Sequence, residues 1–259
     1  MMHQDQLVLE RDSLERDVMD DEQGAQPEAH HQHRNVSGGS ARAAIFGVSD
    51  GLVSNVAIVL GFAGASTTPG LVRLAGVAGL VGGAVSMAAG EYASTTAQAE
   101  LLFREIETER KEIANRPDLE AAELEALYRD RGIDSDVVQA FVSQLMADPD
   151  LALRTHAREE LGVDNLSFAD PKVIALWSLM AFALGAVVPL LPWFFGGGAA
   201  AVIASVTLTA VGALAVGATL ARFTGRPTLA GALRQLMFAA VPAALTYAIG
   251  SAVGVGVTG

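Results

Sequence analysis

Apolar residues gather into five stretches, about 43–65, 71–94, 172–194, 198–221 and 231–256, separated by charged or turn-forming residues. A helix crossing the hydrocarbon core needs about 20 residues at 1.5 Å rise each, so all five are long enough. The pattern predicts an all-α membrane protein with five transmembrane helices and a helical insert between spans 2 and 3. Its expected divisions are a disordered acidic N-terminal tail (1–41), transmembrane helices 1–2 (42–95), a cytoplasmic helical domain (96–170) and transmembrane helices 3–5 (171–259).

Between spans 2 and 3 the period changes from continuous apolar runs to one-sided helical spacing. Leu102, Ile106 and Ile113 mark a first helix that Pro117 ends. A second runs over about 118–131 and stops at Gly132, and a third starts at the N-cap candidate Asp134 and ends before Pro149. A fourth covers about Asp150 to Leu161, with Gly162 as C-cap. No Gly or Pro separates Glu91 from Arg116, so the second span can continue into the insert as one long helix.

Composition supports a membrane reading. The chain is 51% hydrophobic yet only 6% aromatic, with 27 glycines, which suits close helix packing in lipid. Ala75, Gly79 and Gly83 recur every four residues on span 2 and would admit another backbone, within one chain or between two. Trp193 sits where an interfacial aromatic is expected. The net charge of −12 argues against nucleic acid as a partner, and the absence of cysteine removes disulfides and thiolate metal sites. Arg34 and Arg42 precede span 1, and Arg222, Arg226 and Arg234 cluster between spans 4 and 5. The positive-inside rule therefore puts the N-terminus and the insert in the cytoplasm and the C-terminus outside. The polar N-terminal segment lacks the pattern of a secretory signal peptide, and its His30, His31 and His33 read as part of a solvated tail.

Two groups of residues carry candidate chemistry. Asp50 and Met87 each lie about eight residues into a span, roughly 12 Å deep, and Glu91 is one turn from Met87 on the same face. An intramembrane carboxylate is costly and usually faces a partner, a cavity or a permeant ion; the alternative here is a structural hydrogen bond. Ser49, Ser54 and Asn55 add polar atoms along span 1. In the insert, Glu105, Glu109 and Glu112 share a helical face, Glu120 and Glu123 follow, and His156 and Glu160 are four apart. Carboxylates with one imidazole suit Fe²⁺, Mn²⁺ or Zn²⁺. The competing reading is a solvated acidic face paired with Arg104, Arg110, Lys111 and Arg158. No nucleophile–base pair, phosphate loop or HExxH points to an enzyme.

The run IFGVSDGLVSN (45–55) followed by GLVGGAVSMAAGEYAS (79–94) resembles the vacuolar iron transporter family. The similarity continues through Glu105–Glu112, ELGV (160–163) and GAVVPLLP (185–192), and covers about residues 42–256. The resemblance implies a five-span homodimer exchanging cytoplasmic Fe²⁺ for protons, with Mn²⁺ as a further substrate. It implies that Glu109, Glu112, Glu120, Glu123 and Glu160 collect metal, a set to which the spacing of the residues adds His156, and that Asp50 and Met87, with Glu91 as an addition, line the pathway. No cofactor beyond the carried ion is expected. His156 stands where the family often has Met, making that site harder and more responsive to pH, and Ala43 stands where many members carry an acid. A bacterial inner-membrane protein is expected from the chain's brevity. A membrane-anchored metal sensor or store is the alternative, although an anchor has no need of Asp50.

Overall fold

The computed structural model describes residues 39–66, 68–163 and 170–257; the N-terminal tail and its histidines lie outside them. Among the described residues there are eight α-helices, one 3₁₀ turn and no strand. These are α1 (Gly39–Ala65), α2 (Pro69–Asn115), α3 (Pro117–Asp130), α4 (Ser135–Met146), α5 (Pro149–Glu159), α6 (Pro171–Leu190), α7 (Gly198–Phe223) and α8 (Thr228–Val257). Five of them, α1, α2, α6 with its 3₁₀ extension, α7 and α8, are long and apolar enough to cross a membrane. The chain is a multi-pass membrane protein.

Span α1 is the hub, packed against α6 and α8 and more lightly against α2 and α7. Half of its most apolar window is buried, against 17% for α2, so α2 leaves most of that face open. The α1–α6 crossing depends on paired glycines. A Cβ on Gly51 would collide with the Phe182 carbonyl, and one on Gly185 with the Val48 carbonyl, so any side chain would drive the helices apart. Within one chain, the glycines of α2 admit side chains rather than another backbone. Gly79 receives side chains of α1, and Gly83 receives the Phe182 ring.

Trp193 overturns the expectation of an interfacial aromatic. It is 1% exposed, clustered with Val59, Val72, Leu190 and Ala201. Its indole Nε1 donates to Ser205 Oγ at 3.0 Å, and that hydroxyl donates to the Pro189 carbonyl at 2.7 Å. An internal acceptor for the N–H removes the reason for the ring to sit at the water interface. Phe194 and Phe195, beside it, are exposed.

Helix α2 runs unbroken for 47 residues, roughly 70 Å, more than twice the thickness of a hydrocarbon core. Its C-terminal half projects beyond the span and forms one wall of the insert. Pro117 opens α3, and Asp134 and Asp148 cap α4 and α5 by accepting backbone N–H groups. Two small cores hold the insert: Ile106, Ile113, Ala152 and Leu153, and Leu124, Val138 and Val142. Met146 packs against both.

Candidate metal centre and membrane groove

The insert brings its polar residues together over these cores. Ile106 and Ile113 fix the rotation of α2, which turns Glu109 inward, 8% exposed. The opposing helix α5 buries Ala152, Leu153 and Ala157 on the face that carries His156, and the imidazole is 0% exposed. Glu160 caps the C-terminus of α5, and Glu120, in the first turn of α3, is buried beside them.

The distances bring four candidate ligand groups together. His156 Nδ1 lies 3.0 Å from Glu109 Oε1, 3.0 Å from Glu160 Oε1 and 3.8 Å from Glu120 Oε2. Ligand atoms of Glu109, His156 and Glu160 all fall within 4.8 Å of one another. One ring nitrogen has at most one proton to share, and Glu109 Oε1 is buried with no hydrogen-bond partner. A cation at the centre would satisfy all three groups at once.

The electrostatics agree. Burial, then the charges of Glu160, Glu120 and Glu112, raises the Glu109 pKa from 4.5 to about 7. Glu120 is raised too, by burial and by Glu123, with His156 partly opposing. Carboxylates that repel one another in a shielded place favour a proton or a metal ion over the ionised state. Glu112 and Glu123 are exposed but close enough to be felt, whereas Glu105 is exposed and takes no part in the cluster. Two of the basic residues that could pair with this acidic face, Arg110 and Lys111, turn to Glu107 instead.

About eight residues inside the span end, Asp50 and Met87 line one groove of about 460 Å³ between α1 and α2, with Ser54, Ser86, Gly79, Gly83 and Phe182. Asp50 is exposed in it. Glu91 is not among the lining residues; its carboxylate lies 3.8 Å from the Arg42 guanidinium at the mouth of the helix pair. The sequence offered no signal for that pairing beyond a basic residue flanking a span. Ser49 accepts a hydrogen bond from Gln235 of α8, and Asn55 donates to the Ala186 carbonyl.

A sequence profile of the VIT family matches residues 41–251, the five spans and the insert together. The chain belongs to the VIT family. It is 34% identical to Vacuolar iron transporter 1 of Oryza sativa subsp. japonica over 229 residues, 86% of this chain and 90% of that protein. It is 35% identical to Vacuolar iron transporter of Acanthamoeba castellanii (85% and 81% covered) and 31% identical to Vacuolar iron transporter 1 of Arabidopsis thaliana (86% and 90%). VIT relatives so named are transporters, which sets the chain apart from enzymes. These relatives come from plants and an amoeba, so the bacterial origin expected from the sequence gains no support from them.

Proposed function

We propose that this VIT-family chain exports Fe²⁺, and Mn²⁺ as a second substrate, from the cytoplasm in exchange for protons. The observation that carries the reading is the convergence of Glu109, His156 and Glu160 on the helix that continues, unbroken, into the groove of Asp50 and Met87. The insert would capture metal with Glu109, Glu112, Glu120, Glu123, His156 and Glu160. The spans would pass it along Asp50 and Met87, with Glu91 and Arg42 at the mouth.

An export direction follows from orientation. Arg42, Arg222 and Arg226 belong to the same end of the alternating spans as the insert, which the positive-inside rule assigns to the cytoplasm. That holds whether the membrane bounds a bacterial cell, as the sequence reading has it, or a vacuole, as in the relatives' names. Moving a divalent cation outward against 100 mV costs about 4.6 kcal/mol, since each charge costs about 2.3, and two inward protons cancel that term. Asp50 can take up a proton when the metal leaves, because both compete for the same oxygens. The open side of the groove, on the sparsely buried face of α2, is where a second copy would complete a homodimer.

A sensor or store would need the insert but not a carboxylate exposed in a membrane groove. Metal flux into proteoliposomes separates the readings: transport requires accumulation that depends on Asp50, and a sensor shows binding alone.

A further inference from the structure

Asn55 lies near the middle of the span Arg42–Ala65 and is 0% exposed. Its Nδ2 donates to the Ala186 carbonyl of α6 at 2.6 Å. A carbonyl accepts only from the nitrogen side, so this bond settles which way the amide points. The other atom, Oδ1, is buried and has no hydrogen-bond partner.

That oxygen faces α2 where Gly79 carries no side chain. A Cβ built on Gly79 would stand 2.8 Å from Oδ1 and 2.6 Å from Ile58 Cδ1. Gly79 and Ile58 both line the groove of Asp50 and Met87, so the bare oxygen lies at the back of its wall. A buried carbonyl oxygen without a partner is costly, most of all at membrane depth, and an apolar side chain of similar size would avoid that cost.

We infer that Asn55 Oδ1 is a further ligand for the divalent cation, a station beyond Asp50 on the same path. The inference rests on the transport reading above. Five residues of helix put Asn55 roughly 7.5 Å past Asp50 along the axis, too far for one coordination sphere and suitable for the next. A neutral oxygen also suits a later station. It replaces part of the hydration shell without holding the ion as a second carboxylate would, and conduction through successive sites requires that release. Gly79 then has a specific duty: a side chain there would press against the oxygen and displace it.

The test uses the full chain in proteoliposomes with Fe²⁺ and Mn²⁺ as probes, alongside equilibrium metal binding and thermal unfolding in detergent. Asn55→Leu also gives up the bond to the Ala186 carbonyl, so it should cost some thermal stability but leave the chain folded at the assay temperature. Maximal flux of the folded protein should fall by at least about tenfold, with binding at the insert unchanged within about twofold. Asn55→Asp should lower the half-saturating metal concentration and the maximal flux together, because a charged ligand holds the ion longer. Wild-type flux in Asn55→Leu, a flux loss that merely tracks unfolding, or an unchanged half-saturation in Asn55→Asp each overturns the inference. If the wild-type chain carries no metal, the transport reading itself fails, a result distinct from those three.

Discussion

The insert and the membrane groove present their candidate ligand groups in opposite ways. In the insert, Glu109 and His156 are buried, Glu160 completes a triad within 4.8 Å, and the ligands are held by two apolar cores. In the groove, Asp50 is exposed in a cavity of about 460 Å³, and Met87 stands on the opposite helix without a bond to it. A preassembled site binds tightly and releases slowly, whereas an open, loosely furnished one suits passage. On the proposed function, capture and transit would be separated along a single helix, α2, whose two halves reach the two regions.

The largest effect should come from Asp50→Ala. Without its charge nothing offsets the desolvation of a divalent ion at that depth, so flux should fall by at least about a hundredfold. Binding at the insert should not change. Equal losses of flux and binding would break the proposed division.

Glu109→Ala combined with Glu112→Ala should do the converse. Metal affinity of the full chain, read by calorimetry, should weaken by more than about tenfold, because two of the converging charges are gone. Flux should fall mainly at low metal concentration and recover at high concentration. Unchanged affinity would mean that the acidic face is merely solvated.

A pH effect on stability should follow in the insert. Glu109 ionises near 4.5 when unfolded and at about 7 in the fold. With the folded value raised, its contribution to stability is full below the unfolded value and is lost as pH rises through about 7. Hydrogen-exchange protection factors on α5 of the metal-free chain, corrected for the intrinsic pH dependence of exchange, should therefore fall between about pH 5 and about pH 8, and bound Mn²⁺ should flatten that slope. A metal-free chain equally protected at both ends of the range would argue against the shielded cluster.

The smallest effect belongs to a control remote from the insert's cluster. Ser205→Ala strips the partner from the Trp193 N–H and from the Pro189 carbonyl, so stability should drop by about 1–3 kcal/mol with metal affinity intact.

Much of this was legible in the chain. Five apolar runs gave the spans, the missing Gly or Pro between Glu91 and Arg116 announced the long helix, and Pro117, Gly132, Pro149 and Gly162 divided the insert. The cluster was legible only as a list of glutamates and a histidine four residues before one of them. Helical spacing put Glu105 with Glu109 and Glu112, but the cluster excludes it, because the position of α3 and α5 against α2 is a tertiary fact. Trp193 was misread for the same reason: its partner Ser205 belongs to another helix. The Arg42–Glu91 pair and the orientation of Asn55 join residues far apart in sequence, which no local pattern reports.

The most direct test is Fe²⁺ flux into liposomes that hold the wild-type chain, with an imposed pH gradient and an internal pH indicator. The account predicts that iron accumulates only when the gradient is present, that protons move in the opposite direction, and that Asp50→Asn uncouples the two. Iron bound by the protein but never accumulated, or accumulated at the same rate without a gradient, would contradict it.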